Sequence, residues 1–296
     1  MHKITSVVIT YNRKALLEQC IKALQAQSVP CDIIVIDNAS TDGTEEMVRG
    51  ITDPRICYFN TGNNLGGAGG FNYGMKKAVE AGYEYVWIMD DDTIAQTNSL
   101  ESFLATDKEL KGNYGWLSGK ALWTDGSMCL MNQQRITPFQ KLEPLPDKIT
   151  KITIASFVSL FMKSEVIQKE GLPVKDFFIW GDDWEYTRRI SRKYPCYFVP
   201  DSVVTHAMAS NLPNHICNTQ PDRIERFTLA FRNEWVMFRK EGIGGWLYYF
   251  AKCNLNFWKI IFKAPNQKFK RIKCLLKGAW TALFFFPKIE YINKGK

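Results

Sequence analysis

Two acidic stretches hold the residue types best able to do chemistry. WIMDDDT places Asp90, Asp91 and Asp92 directly after an apolar run, and FFIWGDDWEYTRRI sets Asp182 and Asp183 among aromatic side chains, Trp180 and Trp184 nearest. Three consecutive carboxylates at a strand end repel one another unless a positive charge joins them. A divalent cation supplies that charge, and hard oxygen ligands suit Mg2+ or Mn2+, above all when substrate phosphates complete the shell. On the triplet alone, a solvated turn that caps the following helix fits as well. His206, in VVTHAMAS, is one of three histidines and also follows a β-branched run. A lone histidine is more often a packed or surface residue, but beside the aspartates its imidazole would be a third ligand and would bias the site towards Mn2+. In an apolar setting the pKa of a carboxylate rises, which makes Asp183 or Asp182 a better general base near neutral pH. The same segment, GDDWEYTRRI, reads as a helix start whose acids complement the helix dipole and pair with Arg188 and Arg189. Both can hold, because a helix start can present a catalytic carboxylate.

These residues need elements that bring them together. SVVIT, DIIVID, ICYFN and YVWIM read as buried parallel strands, with RKALLEQCIKALQAQ and GGFNYGMKKAVEAG as crossover helices. That βαβ series predicts a doubly wound sheet, which binds ligands beyond the carboxyl ends of its strands, where strand order reverses. Four polar loops fall at those ends: Thr10–Arg13, Asp37–Thr44, NTGNNLGGAGG and Asp90–Thr93. Residues 100–150 read as a less regular, mostly β insertion. Residues 151–205 return to a strand (ITIASFVSLFM), a helix closed by Gly171 and Pro173, the aspartate pair on a helix, and a last strand, CYFVPDSVV. No G-x-G-x-x-G follows the first strand and no G-x-x-x-x-G-K-[ST] occurs, which disfavours hydride transfer and P-loop chemistry.

With 296 residues, 46% of them hydrophobic, the chain can bury a large core. The eight cysteines show no Cys-x-x-Cys pair and no zinc spacing, so they read as free thiols in a reducing compartment. The first residues lack a signal-peptide pattern, and no apolar run approaches the roughly 18 residues of a spanning helix, so a cytosolic location is expected. Charge is divided unevenly. From Gln220 onward sixteen Lys and Arg face five Asp and Glu, a net of +11 within a chain of +8, which leaves −3 for residues 1–219. We therefore expect a catalytic domain over 1–212 and a helical, basic and aromatic region over 213–296. That tail could be a packed helix pair with a solvated basic face, but a membrane-surface role explains more of it: aromatics interleaved with lysines suit the headgroup region of an anionic membrane. Nucleic acid is not expected as a partner, since no recognition module is present and the acidic face would repel a phosphate backbone.

Taken in order, VVITYNR, IIVIDNASTDGT, NLGGAGGFNYG, WIMDDDT, WGDDWEYTRR and VVTHAMAS resemble the motifs of family 2 inverting glycosyltransferases with the GT-A fold. The resemblance spans about residues 4–240, and within the family it is closest to the bacterial galactofuranosyltransferase and rhamnosyltransferase group. FRNEW, at Phe231–Trp235, is similar to a helix of the rhamnosyltransferase-like members. The resemblance implies an α/β, Rossmann-like, mostly parallel sheet flanked by helices. It implies that Thr10, Asn12, Arg13 and Asp37 hold the nucleobase and ribose, that Asn64, Gly66 and Gly67 lie near the donor phosphates with Asp90 and Asp91, and that Asp90, Asp92 and His206 hold Mn2+ or Mg2+. It makes Asp183 the catalytic base and Asp182 its acceptor-binding neighbour, with Trp180 and Trp184 beside the acceptor. The implied activity is transfer of a sugar, galactofuranose or rhamnose, from a UDP- or dTDP-linked donor to a lipid-linked glycan at the inner face of the bacterial membrane. The Q-x-x-R-W motif of processive synthases is absent, so one or a few sugars are expected. A nucleotidyltransferase and a non-catalytic, membrane-associated glycan-binding protein are the alternatives, and an oligomer is compatible with either.

Overall fold

The computed structural model describes residues 3–292 of the chain. Runs rich in Val and Ile build the first half: β1 (Ile4–Thr10), α1 (Lys14–Gln25), β2 (Asp32–Asp37), α2 (Thr44–Arg49), β3 (Ile56–Asn60), α3 (Gly66–Glu80), β4 (Tyr85–Asp90) and β5 (Thr93–Ala95). Then come α4 (Ser99–Glu109), β6 (Leu117–Leu122), β7 (Arg135–Thr137), β8 (Gln140–Lys141), β9 (Thr150–Lys151) and β10 (Leu160–Lys163). The chain continues through α5 (Ser164–Glu170), α6 (Asp182–Ser191), β11 (Tyr197–His206), α7 (Arg226–Phe238), α8 (Gly242–Lys263) and α9 (Lys268–Leu283).

The main sheet runs β3-β2-β1-β4-β10-β6-β11-β5, with β9 on β11. Its first four strands are parallel, β10 is antiparallel to both neighbours, and β6 and β11 are again parallel. Strand order reverses at β1, which lies between β2 and β4, so the polar ends of these strands line one crevice. Successive residues of a strand point to opposite faces, and both faces here are covered. Val7 and Ile9 pack with Phe71 and Met75 of α3 on one side, while Val8 packs with Leu17 and Ile21 of α1 on the other. Helix α3 lies unusually close to the sheet: a Cβ on Gly74 would come within 2.5 Å of Val7 Cγ1.

Two local expectations change. The segment from residue 100, expected as mostly β, is helical to Glu109, because Leu100, Phe103 and Thr106 recur at helical spacing and bury one face. Of ITIASFVSLFM only the end, from Leu160, is strand, as part of β10, and the preceding Phe157–Ser159 is a buried single helical turn. Apolar content misleads there because the run is buried whatever its backbone shape.

Helices α7, α8 and α9 share a separate apolar cluster around Trp235, Tyr249 and Ile260. The residues after α9 then run back over the sheet domain. Glu290 pairs with Lys76 and Lys175, at 2.9 Å each, and Phe285 and Ile289 pack against Ala68, Val174, Phe177 and Val236. Among the described residues no helix is long and apolar enough to cross a membrane.

Candidate active site

The register of the sheet assembles the acidic cluster. Asp90, the last residue of β4, lies opposite Ile9 of β1, so Thr10 and Asp91 are neighbours at the switch point. Thr10 Oγ1 donates to Asp91 Oδ2 at 2.8 Å, and Arg13 Nη1 reaches Asp91 Oδ1 at 3.3 Å and Asp92 Oδ2 at 2.6 Å. The middle aspartate is thus turned towards the β1 loop. Asp90 faces the other way, towards His206, and Asp92 bridges the two, with Oδ2 on Arg13 and Oδ1 beside His206.

Histidine reaches them through an antiparallel pairing. β5 continues directly from the aspartates and pairs with the end of β11, Thr93 opposite His206, so His206 becomes a cross-strand neighbour of the triplet. One ligand atom from each of Asp90, Asp92 and His206 lies within 4.8 Å of the others. His206 Nδ1 is 2.7 Å from Asn132 Oδ1, which can only accept, so Nδ1 carries the hydrogen and Nε2 turns its lone pair to the carboxylates. Asp92 Oδ1 lies 2.8 Å from Nε2 and has no other donor, so with the lone pair on Nε2 a buried carboxylate oxygen is left to be joined to the imidazole by a proton or a cation. Two carboxylates, an outward-facing imidazole nitrogen and an orphaned buried oxygen fit a divalent cation of the Mn2+ or Mg2+ type.

The electrostatics agree. Burial raises Asp90 to about 7, with Asp92 adding to the rise, and burial raises Asp91 to about 6 even against Arg13. For Asp92 burial also acts upward, but His206 and Arg13 outweigh it and hold the carboxyl below its ordinary value. Burial draws His206 down, yet its contact with Asp92 and the charge of Asp90 lift it to about 10. The cluster therefore holds more negative charge than its buried surroundings favour, and it draws a proton to His206. A bound cation would take that proton's place.

The loops that follow β1 and β2 are fastened to each other. Asn12, at φ 52°, accepts from Thr41 N through Oδ1 at 2.7 Å and donates its own N–H to Ser40 Oγ at 2.8 Å. Asp37 is fully buried, and its oxygens accept from Tyr58 Oη at 2.6 Å and Ser40 N at 2.8 Å, so both already have protein partners. Asn64 is exposed, and its Oδ1 accepts from Gly66 N at 2.8 Å. Gly66, at φ 70°, has no room for a Cβ because the Phe178 carbonyl presses on it, whereas the Cβ direction of Gly67 is open. The close approach at Gly66 is made by the protein's own chain, so of the two glycines only Gly67 leaves its Cβ direction open.

Asp182 and Asp183 open α6, after Gly181 in the left-handed conformation. Three residues of the approach, Phe178, Trp180 and Gly181, have positive φ, a strain of about 1–3 kcal/mol at each non-glycine residue. Asp183 Oδ1 accepts from Trp184 N at 2.8 Å, and Thr187 Oγ1 holds the Asp183 carbonyl at 2.7 Å. Burial raises Asp182 to about 6. Asp183 is pushed well above the carboxylate range by burial, then by Asp182, then by the charge of Asp90. Trp180 packs on Phe227, with centroids 5.0 Å apart, and Trp184 lies against the Arg135 guanidinium at 4.4 Å. Both tryptophans are half-buried. Asn132 and Asn233 were not foreseen: Asn132 sits in MNQQR, which has no pattern to mark it, and Asn233 lies in FRNEW without a visible role.

An open, largely parallel sheet whose switch point holds an acidic cluster, with a carboxylate pair facing it from a helix start, is the plan of a GT-A glycosyltransferase. Residues 5–114 match the model described as glycosyl transferase family 2. Galactofuranosyltransferase GlfT1 of Mycobacterium tuberculosis is 29% identical over 253 residues, covering 80% of this chain and 83% of that one. The enzyme of the same name from Mycolicibacterium smegmatis is 36% identical over a shorter stretch, 34% of each chain. The crystal structure of S. aureus TarS 1–349 in complex with UDP-GlcNAc superimposes with a TM-score of 0.54 at 14% identity, covering 94% of this chain and 73% of that one, a likeness of fold. The match of residues 5–114 and these similarities support a family 2 glycosyltransferase.

Proposed function

We propose that this enzyme transfers one or a few sugars, with inversion, from a nucleotide-diphosphate sugar to a hydroxyl of a lipid-linked glycan. One observation carries the reading: Asp183, far from Asp90 in the chain, is buried close enough to feel its charge. We read this as a proton acceptor and a diphosphate-binding acidic cluster that share one crevice, the juxtaposition a displacement needs. Asp183 accepts the proton of the acceptor hydroxyl, whose oxygen attacks the anomeric carbon from the face opposite the nucleotide. The bond to the diphosphate breaks and the configuration inverts. Asp182 holds the acceptor beside the base, with Trp180 and Trp184 as its apolar wall. Asp90, Asp92 and His206 would hold Mn2+ or Mg2+, which when bound would supply positive charge against the departing diphosphate. Thr10, Asn12, Arg13 and Asp37 shape the nucleoside end, with Asn64, Gly66 and Gly67 at the turn beside the phosphates.

The donor is a UDP- or dTDP-linked sugar, and the similarity to galactofuranosyltransferases supports UDP-galactofuranose over rhamnose. TarS, with its UDP-GlcNAc complex, supports the nucleotide class. A nucleotidyltransferase would want a glycine-rich basic loop after β1, where this chain has Tyr11–Lys14 tied to Ser40–Asp42. Residues 213–296 act as the attachment to the anionic inner surface of the cell membrane, where a polyprenyl-linked acceptor is held. The support is a set of large exposed apolar side chains on α8 and α9, including Ile243, Leu247, Phe262 and Trp280, in a strongly basic region.

The test is Asp183→Asn. Turnover should fall by about a thousandfold or more while binding of UDP with Mn2+ is kept, because the amide preserves shape and loses the base. Loss of both, in a folded protein, would remove Asp183 from the role of base.

A further inference from the structure

The segment that delivers the carboxylate pair has an unusual backbone. Ile179 N donates to Phe177 O at 2.7 Å, which closes a three-residue γ-turn on Phe178, at φ 64° and ψ −57°, the rare hand of that turn. Trp180 follows at φ 64° and Gly181 at φ 85°. Positive φ is uncommon for residues with a side chain and is a genuine outlier for bulky ones, so it persists only where the surroundings over-determine it.

Two neighbours do so. On one side the Phe178 carbonyl accepts from Ala68 N at 3.2 Å, at the start of α3, where Gly66 leaves room for it. On the other side stands Asn233 of α7, fully buried. Its Nδ2 lies 3.0, 3.0 and 2.8 Å from the carbonyl oxygens of Phe177, Ile179 and Trp180, so one amide serves three acceptors that no regular ladder reaches. Its Oδ1 accepts from Arg232 Nε at 2.9 Å, which fixes which way the amide points. The Arg232 guanidinium in turn donates to Asp176 O at 2.9 Å and stacks 3.8 Å from the Phe285 ring. Without the Asn233 N–H groups, the part-buried carbonyls of Ile179 and Trp180 would lose this donor, Phe177 O would keep only Ile179 N and Arg232, and the strained path to Asp182 would lose its support on the α7 side.

We propose that Asn233 is a positioning residue for the transfer reaction. It locks residues 177–181 in the strained path that aims Asp183 at the acceptor hydroxyl, and it touches no substrate itself. This rests on the reading of Asp183 as base.

Asn233→Asp keeps the size of the side chain and removes both N–H donors, and Phe178→Gly lets the γ-turn form without strain. The parent enzyme, Asn233→Asp, Asn233→Asp/Phe178→Gly and Asp183→Asn are compared for UDP release from UDP-galactofuranose with a polyprenyl-diphosphate-linked glycan, for UDP binding with Mn2+, and for amide exchange along the chain. In Asn233→Asp we expect kcat to fall about 100-fold, the loss typical of a reacting group displaced by an ångström. UDP affinity should hold, and exchange should speed up in the peptide spanning 177–184 while the sheet stays protected. The glycine at 178 should recover most of the lost rate. An unchanged rate and exchange in Asn233→Asp would overturn the proposal, as would loss of UDP binding and protection throughout the chain, or a double variant no faster than the single. Turnover that survives Asp183→Asn would instead sink the base assignment, whereas an enzyme dependent on Asp183 yet indifferent to Asn233 would sink only the positioning role.

Discussion

Asn132 does no chemistry of its own, yet it decides which nitrogen of His206 faces the aspartates. Its Oδ1 takes the Nδ1 hydrogen at 2.7 Å and also accepts from Cys129 Sγ at 3.0 Å, so the imidazole has one orientation and one tautomer. Partners of this kind set the geometry and basicity of a ligand, and their loss typically weakens metal binding by about 10–100-fold. Asn132→Ala should therefore lower Mn2+ affinity by about that factor in calorimetry, with little change in thermal midpoint. Unchanged affinity would mean that the β5–β11 pairing alone orients His206. The acidic members of the site are legible from sequence because clustered carboxylates after an apolar run are costly without a counter-charge. Asn132 and Asn233 are not, because an amide is chemically ordinary until its partners are known, and those partners are distant backbone and a histidine 74 residues away.

Among the elements, β1, β2 and β4 are the most readable, since strands covered on both faces read as unbroken Val and Ile runs. The pairing of β5 with β11 is the least readable. It joins three residues after the triplet to the far end of the last strand, antiparallel, with a register shift in β11 between Val199 and Val203, and nothing local announces that contact. It is nevertheless what brings His206 to Asp92. Helix α3 shows a different coupling. The glycines of NLGGAGG resemble a ligand-binding turn, but further along the same helix Gly74 serves packing alone, with Val7 Cγ1 and Ile36 Cγ1 where a Cβ would lie. Gly74→Ala should destabilise the fold by about 1–3 kcal/mol through overpacking, read as a lower urea midpoint at constant m-value. A midpoint at or above that of the parent would show that α3 can lift from the sheet without strain. Gly67, open in its Cβ direction, is the control that should keep its midpoint as alanine.

On the scale of the molecule, charge and apolar exposure are segregated together. Fourteen of the twenty large apolar side chains exposed among the described residues lie between Ile243 and Tyr291, in the same region that carries the net +11. A surface that exposes this much apolar area is normally an interaction site, and lysines among it would favour an anionic partner, as the proposed membrane attachment requires. The region is also tied to the site, because α7 holds the segment before Asp182 and Phe285 covers Arg232, so anything that α8 and α9 rest upon has a short path to the base. Phe262 and Trp280, 76% and 65% exposed, give the sharpest test. Burying each in the headgroup boundary contributes about 1.5–3 kcal/mol, so Phe262→Ser/Trp280→Ser should weaken vesicle binding at least about a hundredfold. Flotation with vesicles containing phosphatidylglycerol should retain the parent protein at low salt and release it as salt rises, while vesicles of phosphatidylcholine alone should hold it poorly. Equal flotation of parent and double variant would remove these side chains from the membrane and return α8 and α9 to a packed pair with a solvated basic face.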